Sequence, residues 1–179
     1  MATKLTSTST GSWPLLLLSI TVVDVIVLFF VRYFPRVMGG PLNAWYTKFG
    51  LLAVISDVTI IAIGFALARW VYNTWFAGRG LWWFLGILVV VQAIHDILFY
   101  VGVILPIPRG VNAMMDVFRD YSAAGAKIIV GDSGLVLASA AVFLGLEKLP
   151  AEAQWFIGLL TAYTLPYILT TRPVSTPGA

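Results

Sequence analysis

The sequence predicts an all-α fold: a polytopic integral membrane helix bundle of about five transmembrane helices plus a short interfacial amphipathic helix. Three observations predict it. Of 179 residues, 60% are hydrophobic and 11% charged, whereas a soluble domain carries about a quarter charged residues. The apolar runs between the charges reach the roughly 20 residues a helix needs to cross a bilayer. Tryptophans and tyrosines such as Trp13, Trp45, Trp75, Trp82 and Trp155 gather at the ends of these runs, as an interfacial belt does.

A polar, Ser/Thr-rich tail of residues 1–12 leads into the first span, 13–34, which stops at Pro35. The first span can serve as an uncleaved signal anchor, since no small-residue cleavage site follows it. The second span is 42–72, long enough to tilt or project beyond the membrane. The third is 81–105, ended by Pro-Ile-Pro, the fourth 124–146, and the fifth 152–169 with Pro166 near its end. A tail, 172–179, follows; the whole of 13–171 reads as one helical domain. Between the third and fourth spans, Val111, Met114, Met115 and Phe118 recur at i, i+3, i+4 and i+7. Asn112, Asp116, Arg119 and Asp120 take the other side. That spacing predicts an amphipathic helix over 111–121, lying in the interface or packed on the bundle. Gly134 with Ala138, and Ala141 with Gly145, are small-xxx-small pairs that allow close helix contact. No internal repeat stands out along the chain.

Lys4, Arg69, Arg79 and Lys148 fall on the side of the N-terminus. Arg32, Arg36, Lys48, Arg109, Arg119, Lys127 and Arg172 fall on the other. Four against seven places the N-terminus outside and the C-terminus inside. The net charge of +3 is loop basicity, with no basic run to bind nucleic acid. The chain has no cysteine and one histidine. This excludes disulfides, thiolate metal sites, cysteine nucleophiles, and any haem or zinc site needing several histidines of this chain. No phosphate loop, nucleotide fingerprint or zinc-protease helix is present. The GDSGL stretch at 131–135 matches a serine-protease motif by chance, inside an apolar run. The chain is therefore read as a non-enzyme, and no cofactor is identified.

Four spans each carry one carboxylate: Asp24, Asp57, Asp96 and Asp132. Counted from the predicted inner side, each lies roughly 15 Å deep, near the midplane. A charge at that depth costs on the order of 3 kcal/mol on insertion scales, so these acids should face the bundle interior. Only His95 and Lys127 are near enough to pair with them, so one or two acids should hold a proton or be compensated by a bound cation. Gln92, Asp96 and Tyr100, spaced by four, line one face of the third span, while His95 lies about 100° away and points to another groove. Ser139 shares a face with Asp132 on the fourth span. The bland alternative is that these polar groups are helix glue, worth about 1 kcal/mol or less per hydrogen bond. For His95 alone, hydrogen-bonded packing is the stronger reading; ligation of a pigment or an open-sided metal is a third. The fifth span holds no charge beyond Glu152 at its first residue and should pack outside the other four.

The stretches PLNAWYTKFGLLAVISDVTIIAIGFALARWVY, HDILFY and PIPRGVNAMMDVFRDYS resemble multi-span membrane proteins of large DNA viruses that infect algae and protists, and of related marine eukaryotes. The resemblance covers about residues 41–145. It implies that Asp57, His95, Asp96 and Asp116 belong to characteristic stretches, and it brings no activity with it.

The leading functional expectation is a small proton- or cation-conducting channel or transporter. Asp57, Asp96 and Asp132 are its ion-binding groups, His95 a modulator, Asp24 a weaker candidate, and Gln92, Tyr100, Lys127 and Ser139 supporting polar groups. The alternative is a structural or accessory subunit of a photosynthetic, respiratory or viral-envelope complex. The expected partners are the lipid bilayer and either further copies of the chain or a larger membrane complex.

Overall fold

The computed structural model describes residues 4–34, 40–122 and 125–172. Pro35, Arg36, Ala124 and residues 173–179 of the expected C-terminal tail lie outside the described residues. So do residues 1–3.

Seven helices are present among the described residues, with no strand: α1 Trp13–Tyr33, α2 Gly40–Phe49, α3 Leu51–Trp75, α4 Leu81–Phe99, α5 Ala113–Ser122, α6 Ala126–Leu146 and α7 Ala151–Thr170. Four segments are long and apolar enough to cross a membrane: Thr10–Tyr33, Leu51–Trp75, Leu81–Ile104 and Lys127–Leu146. The 20-residue α7 is as long but falls outside that set. Glu152, Gln154 and its threonines and tyrosines dilute its apolar content.

The expected second span is two helices. Gly50 stands between α2 and α3 at φ 53°, ψ −123°, a left-handed conformation that favours glycine. One residue thus turns the chain from α2 into α3. The third span runs on from α4 through a π turn, Tyr100–Ile104, closed by Leu105 N–H donating to the Tyr100 carbonyl at 2.9 Å. Helix α5 starts two residues later than the apolar spacing suggested, because Asn112 caps it. Its Oδ1 accepts from Met114 N and Met115 N at 2.9 and 3.2 Å. Val111, placed on the apolar face by the spacing, is exposed before the helix.

Helices α1, α3, α4 and α6 form a closed ring in which each touches the next and α6 returns to α1. Helix α7 leans on α1 from outside, where Gly158 lets it approach Leu18. The predicted small-residue pairs of α6 do not mediate packing. Gly134, Ala138, Ala141 and Gly145 are exposed, and a side chain at either glycine would meet nothing. The packed face of α6 is instead Val136, Ser139, Ala140, Phe143 and Leu146.

The two ends of the ring differ. The half nearer Trp13 and Trp75 is a dry core of Leu16, Ile20, Phe65, Phe84, Leu88, Val136 and Phe143, all fully buried. With no water to expel from lipid, tight dispersion contacts hold such a core. The expected polar tail folds onto this end: Leu5 is fully buried in the core, and its carbonyl accepts from Arg69 Nε at 2.8 Å. At the other end α2 and α5 lie against each other, with Trp45 and Phe118 ring centroids 4.6 Å apart. Arg119 fixes α5 by donating to the carbonyls of Ile104, Leu105 and Ile107, beside the end of the third span. The predicted interfacial helix is therefore a cover packed on the bundle.

Candidate functional site

Beneath α2 and α5 the ring encloses a cavity of about 550 Å³. Three carboxylates from three helices line it: Asp57 of α3, Asp96 of α4 and Asp132 of α6. His95, Gln92, Tyr100 and Ser56 join them, under a cover of Trp45, Met114, Met115, Phe118 and Tyr121. Among the described residues no lysine or arginine lines the cavity, so His95 is its one side chain able to become a cation.

Gln92 Nε2 donates to Asp96 Oδ1 at 2.7 Å, and His95 Nδ1 lies 3.2 Å from the same oxygen. The expectation that His95 turns away from Asp96 is thus corrected. Although adjacent residues diverge by about 100° around a helix, the imidazole swings back and stacks on Phe99, at a centroid distance of 5.6 Å. Asp96 Oδ2 is wholly buried and has no hydrogen-bond partner. Asp57 Oδ2 accepts from Trp45 Nε1 at 3.0 Å.

Three expected site residues lie elsewhere. Asp24 is 4% exposed and outside the cavity lining; its Oδ1 accepts from Tyr46 Oη at 2.7 Å. Ser139 is fully buried below the cavity, donating to the Leu135 carbonyl of its own helix at 2.8 Å. Lys127, one residue into α6, is exposed and does not line the cavity. The acids are also shallower than expected. Asp57 and Asp132 each lie six residues into their helices, Asp96 eight before Ile104 and Asp24 nine before Tyr33. At 1.5 Å per residue they sit roughly 9–14 Å from the covered end. For Asp57 the difference arises because Gly50 ends α2 and restarts the helix.

Two basic residues counted for orientation are buried ties. Arg32 donates to Asn43 Oδ1 and Thr47 Oγ1 at 2.8 and 2.6 Å, joining α1 to α2. Arg69 sits over the Trp13 ring at 5.2 Å. Removing both leaves three against six, the same majority.

The residues missed from sequence are the covering tyrosines and the glycines beside them, and a repeat marks them. YTKFGLLAVISD, 46–57, and YSAAGAKIIVGD, 121–132, share Tyr, then Gly four residues on, then Asp seven further. Gly125 adopts φ 60°, ψ −133°, nearly the angles of Gly50. The unit is a span with an acid, a ten-residue cover helix, a turning glycine and a second span with an acid. It occurs as α1–α2–α3 and again as α4–α5–α6. Exchanging the halves preserves the ring, since α1 touches α3 as α4 touches α6, and α3 touches α4 as α6 touches α1. Ser56 and Asp57, and their counterparts Gly131 and Asp132, all line the cavity.

The halves are not in the same condition. Tyr46 is 2% exposed and holds Asp24, with Asp57 on its other side. Tyr121 stands among Asp132, Asp57 and Asp96 but is only partly buried, and it lines the cavity. Burial first, and the surrounding carboxylates second, push both phenols above their ordinary value, so each remains a neutral hydrogen-bond donor. Among the described residues no three histidine or acidic side chains are grouped closely enough to hold a metal ion.

Compared with protein-family models, curated proteins and solved structures, the chain matches none of them.

Proposed function

We propose that this chain is a membrane protein that binds a cation in the covered chamber and moves it across the bilayer. Asp57, Asp96 and Asp132 are the binding groups, and His95, 3.2 Å from Asp96, is a modulator. One observation carries the reading: three carboxylates from three helices share one cavity with no lysine or arginine among the described residues of its wall. Uncompensated acids at membrane depth are costly, and a bound proton or other cation offsets that cost. The dry core beyond the chamber supports a transporter over a standing pore. Leu16, Phe65, Phe84, Leu88 and Phe143 are fully buried there, a packed apolar layer between the acids and the far end. Passage then requires the core to rearrange, as alternating access does.

The test is flux into liposomes holding the full chain and an internal pH dye, driven by a potassium diffusion potential and repeated with sodium outside. The expected result is flux in the wild type that is lost in Asp57→Asn and Asp96→Asn variants eluting as intact protein. Wild-type flux that persists in both variants removes these acids from the route. Absence of any wild-type flux refutes transport of small cations.

A further inference from the structure

The chamber is larger and more apolar than a small ion requires. Cavities of about 300–1,000 Å³ are the size that takes drug-sized ligands, and this one is about 550 Å³. Its walls carry Trp45, Phe99, Phe118 and Tyr121, whose ring faces attract cations, and the polarizable Met114 and Met115. Phe118 meets Trp45 at 4.6 Å and stands edge-on to Phe99 at 5.9 Å, so the three rings form a continuous aromatic ceiling.

The repeat compares the two covering tyrosines. In the first half Asp24 Oδ1 receives the Tyr46 hydroxyl, while Asp24 Oδ2 is buried without a partner. Tyr121 is the counterpart of Tyr46, in the register that also pairs Gly50 with Gly125 and Asp57 with Asp132. No described hydrogen bond joins Tyr121 to Asp96, and Asp96 Oδ2 is buried without a donor. Tyr46 is thus buried and committed to an acid, whereas Tyr121, with no such bond to Asp96, borders the cavity beside Asp96 and Asp132. An occupant must bring a hydrogen-bond donor, a positive charge for Asp96 and Asp132, and an apolar body for the aromatic ceiling.

We infer that Asp96 and Asp132 form a binding site for the ammonium group of an organic cation whose apolar body lies under Phe118 and Trp45. This inference rests on the cation-binding reading and names the class of cation. A protonated amine donates two or three N–H bonds, which suits carboxylates on two adjacent helices, Asp96 and Asp132, beneath an aromatic ceiling. No metal-holding group of three acids or histidines is formed among the described residues.

The test uses the full chain in lipid nanodiscs and two probes, 4-phenylbutylamine and its neutral counterpart 4-phenylbutanol, compared by equilibrium dialysis against empty nanodiscs. The expected result is saturable binding of the amine that millimolar sodium or magnesium does not displace. The alcohol should bind about tenfold or more weakly, the scale of one hydrogen bond to a charged group. Asp96→Asn should weaken the amine by a similar factor and leave the alcohol unchanged. Equal binding of amine and alcohol, or no saturable amine binding, overturns the inference on wild-type protein alone, whatever the variant's folding. Small-ion flux measured alongside separates the two readings. Flux without amine binding leaves the transporter and removes the organic ligand. Amine binding without flux supports the site and refutes small-ion transport.

Discussion

Replacing Tyr46 by phenylalanine deletes one oxygen and keeps the ring. That oxygen donates to Asp24 Oδ1 at 2.7 Å, and Asp24 Oδ2 already lacks a partner. In Tyr46→Phe a carboxyl group 4% exposed is left without a hydrogen bond. Interhelical hydrogen bonds in membrane proteins average about 0.6 kcal/mol and reach about 1.7. A bond to a charged acceptor contributes about 1.5–3 kcal/mol. Unfolding by SDS in mixed micelles should therefore show a loss of about 1 kcal/mol if Asp24 carries a proton, and about 2 or more if it is ionised. Asp24→Leu alone should also destabilise, but by less, since the Tyr46 hydroxyl keeps Asp57 beside it as an acceptor. The double variant should recover part of both losses, because removing both partners of a buried bond is far cheaper than removing one. A Tyr46→Phe protein as stable as wild type, or losses that simply add in the double variant, would refute the reasoning and with it the coupling of Tyr46 to Asp24.

Gly50→Ala and Gly125→Ala should each cost on the order of 1–3 kcal/mol through backbone strain alone, because a β-carbon at either site meets nothing within 4 Å. Gly86→Ala, mid-helix and equally open, should instead stabilise by roughly 0.5–1 kcal/mol; thermal unfolding in detergent compares the three. At Gly64 a β-carbon would lie 3.6 Å from Gln92 Oε1, so alanine should fit. Leucine there should displace Gln92 from Asp96 and alter flux without touching an acid. Stability should fall as pH rises past about 10, the ordinary tyrosine value. Above it the unfolded chain releases phenol protons that Tyr46 and Tyr121 retain when folded. The alkaline loss should be smaller in Tyr46→Phe than in wild type.

The helical class and the cores of the four apolar spans were legible because composition and run length report burial in lipid directly. The break at Gly50 was not. A single glycine inside an apolar run reads as tolerated, and only its φ reveals the turn. The cavity could be anticipated for Asp57, Asp96 and Asp132, since their cost in lipid sends them inward. It could not be for Asp24, because hydropathy carries no trace of a tyrosine 22 positions away that fills its acceptor. Ser139 satisfies itself on its own helix, which spacing alone does not disclose. The repeat was present in plain sequence as Tyr, Gly and Asp at fixed intervals. It was hidden because the residues between them share only apolar character, which every span has.

The division of the bundle into a polar chamber and a dry half also has an electrical side. In a polarised membrane the voltage falls mainly across whatever does not conduct, and here that is the layer of Leu16, Phe65, Phe84 and Phe143. On the proposed transport reading, a charge arriving at Asp57, Asp96 or Asp132 from the covered end crosses little of the field, so occupancy of the chamber should depend on concentration and hardly on voltage. Carrying the same charge through the dry layer works against nearly the whole drop, about 2.3 kcal/mol per 100 mV. Membrane potential would then govern the rate of the second step and leave the affinity of the first alone.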